Sequence, residues 1–390
     1  MKTTRNNQKL FMKKFTSHFL LLFSIVFVNI FSACSPAQKK ETQTNVADSV
    51  TEYAKGFSIN YFDNYKQVIV HSPWEKGTEY ARYYLVENDT VLVPSDGVKV
   101  KAPLSSLASS SVTHFEFLHL LGELETVIGI CTPNLVYNAR IKEKVANGMI
   151  TDLGDSFKIN VEKTLLLYPA ALMVSGYNQT DANIQRVAQA KIPIIYNNEW
   201  MESSLLGRAE WIKFIAAFYN KEAEADSIFT EIANRYNEIK AKAAEISDKP
   251  SVMAGSNFRG TWYMPSGNSF MGHLFADAGT NYFYADNSAA ESLPLNVETV
   301  LKNFSKSDVW LNCNYSTLDD LLKADTKHRL FRPVKQNEVY NFHKRLLLSG
   351  ANDFWESAVA RPDLLLADVI AILHPAILPN HELVYADKLK

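Results

Sequence analysis

The stretch 221–246, KEAEADSIFTEIANRYNEIKAKAAEI, constrains the fold more than any other part of the 390 residues. Apolar side chains recur at Ala225, Ile228, Phe229, Ile232, Tyr236, Ile239 and Ala243, the three-and-four spacing of one helical face, and Glu and Lys fill the other faces. The spacing predicts one long amphipathic helix with Asn220 as N-cap and Glu222 and Glu224 in its first turn. Pro250 stops it, because proline cannot continue a helix and pushes the preceding residue out of the α region. At ~1.5 Å per residue such a helix spans roughly 40 Å, the width of a domain. It leaves a domain-sized length of chain on either side, which predicts a lobe over 53–219, a backbone helix over 220–248 and a second lobe over 249–390, with function in the cleft between the lobes.

Hydrophobic residues at 47% and charged residues at 21% suit a globular chain with a substantial core. A net charge of -2 supplies no basic field, which argues against nucleic acid as a partner. Lys13 and Lys14 precede an apolar run from Phe19 to Phe31, then small residues and Cys34, the order of an export signal. The run is shorter than the ~20 residues of a membrane span. Phe31-Ser32-Ala33-Cys34 resembles a bacterial lipobox, apart from Phe31 in place of the usual aliphatic residue. That resemblance implies a signal peptide over 1–33, lipidation at Cys34 and a chain exported and anchored to a bacterial membrane, facing the periplasm; the alternative is a plain secretory signal with Cys34 incidental. Residues 34–52 are polar and read as a flexible tether. Cys131 and Cys313 read as buried thiols or a long-range pair.

From 59 onward short strands come first, 59–65, 67–71, 82–86, 90–93 and 98–101. After Pro103 strands alternate with helices: a helix over 113–121 closed by Gly122, a buried strand 127–131, helices near 141–146 and 160–168, strands 171–174 and 193–196, and a helix over 207–219 with Trp211, Phe214, Ile215 and Phe218 on one face. After the long helix the alternation resumes with a strand at 251–255, an aromatic, glycine-containing loop at 258–269, a strand at 309–311 and a closing helix at 364–373. Such alternation argues for parallel βα units in an α/β fold. The hexad N-V-E-x-x-L occurs at Asn160–Leu165 and Asn296–Leu301, each time ahead of a strand, and points to two similarly built lobes.

The chain from about 101 to 378 resembles the class III substrate-binding proteins of ABC importers, the receptors for ferric siderophores, haem and cobalamin. The resemblance is carried, in order, by APLSSLASSSVTHFEFLHLLGELETVIGI, INVEKTLLLYPAALMV, IPIIY, GRAEWIKFIAAFY, PSGNSFMGHLFADAG and RPDLLLADVIAILHP around the one long helix. It implies two βα lobes joined by that helix, capture of a ferric siderophore or related metal chelate between them, and delivery to a dimeric ABC permease with its ATPase subunits by a monomeric receptor. A cobalamin receptor is the alternative. The segment before Lys101 is an extension that this family does not require. By motif, Glu162 and Glu298 match the glutamates that pair with permease arginines, one per lobe; without the resemblance both are first-turn glutamates favoured by the helix dipole.

The resemblance places ligand-binding residues in the cleft: His114, Tyr137, Tyr177 and Trp200 from the first lobe, and Arg259, Trp262, Tyr263, Tyr315, Arg345 and Trp355 from the second. Aromatic planes suit a macrocycle or catecholate rings and arginine suits an anionic group, while the alternative for each aromatic is lobe core. His119, five residues from His114, reads as core. An exported enzyme is the rival class, but no GxSxG elbow, SxxK pair, HExxH or phosphate loop is present, and the nine histidines form no cluster for a bare metal ion. No cofactor and no resident metal are expected.

Overall fold

The computed structural model describes residues 51–179 and 181–390, with the two-residue strand Asp48–Ser49; the expected signal segment, Cys34 and nearly all of the tether lie outside the described residues. Two parallel sheets organise the chain. The first runs in the order Ile194–Tyr196, Ala171–Val174, Leu107–Ser109, Val127–Ile130, Thr151–Asp152, and the second in the order Asn281–Tyr282, Ser251–Ala254, Val309–Leu311. Their strands are short, apolar runs buried on both faces, as parallel sheets covered by helices require.

The long helix is Glu222–Ala244, 23 residues. Ala225, Phe229, Ile232, Ala233, Tyr236 and Ala243 are its buried positions, the face predicted from the periodicity. Asn220 is not its N-cap. Its φ of 56° is left-handed, so the chain turns there, and Lys221 occupies the cap position with no side-chain cap bond. The helix packs against Pro362–Leu373 from the second half and Trp211–Ala217 from the first, which makes it a strut common to both.

The repeated hexad marks real structural equivalence. Asn160 Oδ1 accepts from Lys163 N at 2.9 Å to start helix Val161–Leu167, and Asn296 Oδ1 accepts from Thr299 N at 2.8 Å to start Val297–Phe304. Glu162 and Glu298 sit exposed in the first turns, and Glu298 faces Lys327 Nζ at 3.2 Å. The stretch 207–219 is two short helices, Leu205–Ala209 and Trp211–Ala217, rather than one. The stretch 258–269 is not a plain loop: Asn257–Phe258 and Thr261–Met264 form an antiparallel hairpin, and Leu293–Leu295 adds a third strand. Residues 90–93 form no strand; Lys99 Nζ donates to the carbonyls of Asp89 and Val91, both at 2.6 Å, and closes the turn instead.

The segment before Lys101 is part of the body of the fold. Asp48–Ser49, Phe57–Tyr61, Lys66–His71 and Glu79–Val86 form an antiparallel meander, and Val98–Lys101 joins its edge parallel to Glu79–Val86. Two buried carboxylates hold its start. Glu210 accepts from the amides of Glu52, Tyr53 and Ala54 at 2.7 to 2.9 Å, and Glu202 Oε1 from those of Lys55 and Gly56 at 2.8 Å. Phe57 then meets Trp211 edge-on at 5.0 Å and Phe214 at 5.6 Å. Deeper in, Tyr83 is fully buried and its Oη accepts from Tyr196 N at 2.8 Å, tying the extension to the edge strand of the first parallel sheet.

Candidate functional site

Parallel strands end with their loops at one edge of a sheet, so ligands of open α/β folds collect outside the carboxyl ends. Here Leu107–Ser109 runs out into Ser110 and Ser111, Ala171–Val174 into Ser175, Gly176 and Tyr177, and Ile194–Tyr196 into the turn bearing Trp200. A basin of about 880 Å³ lies over these ends. Its opposite wall is the extension, whose loop from Ser72 to Tyr80 folds back over the strand ends.

The walls are aromatic and continuous. Trp74 lies 5.1 Å from Tyr80 and 6.5 Å from Trp200; Tyr177 lies 5.6 Å from Trp200 and 5.9 Å from Phe157; Tyr80 meets Tyr196 edge-on at 4.9 Å. Phe157 is 72% exposed, Tyr177 46% and Trp200 38%, which leaves large ring faces open where a core would have covered them. Tyr80 Oη donates to the Tyr177 carbonyl at 3.0 Å, linking extension and lobe. Gly176 makes room for this junction. A Cβ there would stand 2.6 Å from Asn198 Oδ1 and 2.8 Å from Tyr80 Cε1, and its amide donates to Asn198 Oδ1 at 2.8 Å. Burial raises the phenols of Tyr80 and Tyr177 and pushes Tyr196 up to about 12, so near neutral pH these rings are uncharged.

A second, smaller cavity of about 360 Å³ lies where the two halves meet, lined by Glu116, His119, Tyr137, Arg345, Glu356 and Arg361 among others. Glu356 reaches across from the second half, and its carboxylate accepts from Tyr137 N at 2.6 Å and Asn138 N at 2.8 Å. Burial, with Asp353 and Glu116 nearby, pushes the Glu356 carboxyl up to about 7 against the pull of these two amides. Burial and Asp353 likewise push Glu116 up to about 7, with Arg361 and Arg345 opposing. Arg345 and Arg361 are engaged by Asp353 and Asp363, at 2.8 and 2.9 Å.

The residues expected in one cleft separate into groups. Tyr177 lines the large basin with Trp200 against its ring from outside the lining, and Tyr137 and Arg345 line the smaller cavity. Arg259 and Tyr263 are exposed on the hairpin of the second half, with Arg259 over the Phe258 ring at 5.1 Å. Trp355 is exposed, and Tyr315 is half-buried against His328 at 5.8 Å. Three expectations are corrected. Trp262 lines no cleft: it is fully buried, its indole N–H donates to Ala254 O at 2.9 Å, and its ring packs on Trp310 at 5.3 Å and Phe331 at 5.8 Å. His114 is no pocket residue either. It is fully buried with Nδ1 2.8 Å from Ser109 Oγ, and burial drives its pKa down to about 3, which keeps it neutral. His119, expected in the core, is the exposed one and lines the smaller cavity.

Sequence reasoning missed Trp74, Tyr80 and Phe157. Two of them belong to the extension, where the loop S-P-W-E-K-G-T-E-Y carried a usable signal: aromatics inside a proline- and glycine-marked loop, where functional residues gather. Cys131 and Cys313 are separate buried thiols, as one of the two readings held. Among the described residues no group of three or more His, Cys, Asp or Glu is placed to hold a metal ion.

Comparison with known proteins agrees with this architecture. An uncharacterized lipoprotein of Methanocaldococcus jannaschii is 24% identical over 91% of this chain and 92% of its own. Among solved structures, the periplasmic heme-binding protein RhuT of Roseiflexus superposes with a TM-score of 0.55 at 18% identity, over 70% of this chain and 99% of its own. The periplasmic vitamin B12 binding protein BtuF of Vibrio cholerae superposes with a TM-score of 0.50 at 12% identity, over 70% and 98%. These likenesses show the class III two-lobed fold, in which one long helix joins two βα lobes. The model of the periplasmic binding protein family matches residues 108–346, more than half of the chain, and the chain belongs to that family of substrate-binding proteins, not enzymes.

Proposed function

We propose that this protein is the lipid-anchored receptor of an ABC importer, capturing a metal chelate with exposed ring faces, a ferric siderophore or a corrinoid, and presenting it to the permease. The observation that carries this reading is the basin at the carboxyl ends of the parallel strands, lined by Trp74 and the open faces of Tyr177 and Phe157, with the exposed ring of Trp200 adjoining Trp74 and Tyr177. Stacking on several rings gives affinity to a large flat or ring-bearing ligand without chemistry on it. Cys34 would carry the anchor, consistent with a relative named as a lipoprotein. Glu162 and Glu298 would dock on the permease: they are exposed, equivalently capped and one per lobe, the arrangement that reads a two-fold partner.

Tryptophan fluorescence tests the ligand reading directly, since Trp74 lines the basin and Trp200 adjoins Trp74 and Tyr177. Saturable quenching by a ferric siderophore or by cyanocobalamin, lost in Trp200→Ala, is the expected result. Saturation by the corrinoid alone would make the protein a cobalamin receptor; silence from both, and from haem, would overturn the reading.

A further inference from the structure

The walls of the basin carry a charge pattern as well as a shape. Among the described residues no lysine or arginine lines it, whereas Glu75, Glu79 and Asp181 do. The guanidinium beside Glu79 is already used: Arg82 grips Glu79 through two bonds of 2.6 and 2.9 Å and also pairs with Asp96. Glu75, on the exposed loop of the extension, has no ion pair among the described residues. Two helix starts at the rim are closed by the protein's own side chains: Asp181 Oδ1 accepts from Asn183 N at 2.7 Å and Ile184 N at 3.3 Å at the start of Ala182–Gln189, and Ser111 Oγ accepts from Thr113 N at 3.3 Å at the start of Val112–His114. That removes the ready-made anion site which a bare helix start would offer. Ring faces add negative quadrupole potential, and the tyrosine rings are uncharged.

From this pattern we infer that the basin selects its ligand by charge sign: it admits neutral or cationic ring-bearing chelates, rejects polyanionic ones, and owes that selectivity to the N-terminal extension, which supplies Trp74, Glu75 and Tyr80. The inference rests on the receptor reading above. A polyanion would enter against the unpaired Glu75 carboxylate and ring faces with no cation among the described lining residues to neutralise it, and desolvating an uncompensated charge is among the most unfavourable steps in binding. A cation would instead find both carboxylate and ring face.

The test uses four probes on the complete chain: a neutral ferric trihydroxamate, a ferric trihydroxamate with a free ammonium, cyanocobalamin and a ferric tricatecholate, each followed by tryptophan quenching. At least one of the first three should bind at least about ten-fold more tightly than the tricatecholate. Glu75→Arg, on an exposed loop where folding is not at stake, should shrink that ratio by about ten-fold or more by strengthening the tricatecholate and weakening the cationic probe. Trp74→Ala should weaken the preferred probe by about ten-fold, with circular dichroism unchanged. A tricatecholate that binds as well as the others, or a ratio indifferent to Glu75→Arg, overturns the charge selection and leaves the receptor reading standing. Silence from all four, and from haem, overturns both.

Discussion

At the scale of single residues, the basin and the junction make different demands. Gly176 has a side-chain oxygen on one side and the Tyr80 ring on the other, each under 3 Å from where a Cβ would stand. Gly176→Ala must therefore push Tyr80 away, and we expect ligand affinity to fall by about ten-fold or more while thermal stability drops by roughly 1 to 3 kcal/mol, checked by titration and melting on one preparation. Glu116 and Glu356 carry a pH signature. Both carboxyls are raised to about 7 in the folded chain, so between the ordinary carboxylate range and neutrality the native state holds protons that the unfolded state has released. Their contribution to stability is full below the unfolded value and is lost as pH rises through about 7. Melting temperature should fall between pH 5.5 and pH 8, and Glu116→Gln with Glu356→Gln should flatten that slope; an unchanged slope would show that other groups set it. Some residue roles were legible and some were not. His114 and His119 exchanged places because a residue's neighbours in sequence do not say which side of a short helix faces the lobe, although His114 lies three and four residues before the buried Phe117 and Leu118.

At the scale of elements, the extension is held by buried carboxylates rather than by its own hydrogen bonding alone. Glu210 is fully buried and satisfies three amides of a segment more than 150 residues away. Replacing it with alanine leaves those donors without an acceptor, and we expect a loss of about 3 kcal/mol or more in chemical denaturation. Glu210→Gln keeps one acceptor oxygen and should lose less; equal losses would mean that side-chain volume matters more than the hydrogen bonds. The strand ends of the first sheet and the hairpin loop of the extension then form one site only because this clamp and the Tyr83 bond to Tyr196 N bring them together.

For the whole molecule, the strut helix buries one face against elements from both halves, and Glu356 bonds the backbone at Tyr137 and Asn138 across the junction. One continuous helix resists bending, so ligand binding should change the radius of gyration little, within a few tenths of an ångström by solution scattering. A large compaction would contradict the strut. Reversing both docking charges, Glu162→Lys with Glu298→Lys, should leave ligand affinity within about two-fold and abolish uptake in a reconstituted importer, because both side chains are exposed and neither lines the basin. Intact uptake would make them ordinary first-turn glutamates.

The sequence by itself determined what local periodicity can carry. The apolar face of 221–246, the N-V-E hexads and the alternation of strands with helices were all legible, because each depends on residues within a turn or two of one another. It did not determine which apolar face meets which, and there the tertiary structure decided. Trp262 and Trp200 look alike in sequence, yet one is sealed beneath Trp310 and Phe331 and the other stands open beside Trp74. The basin pairs loops of the first sheet with a strand-and-turn segment that local reasoning had set apart, through contacts such as those of Glu210 with Glu52 to Ala54. Closing so long a loop is favourable only when buried area and satisfied amides offset its entropy, and that balance belongs to the assembled fold.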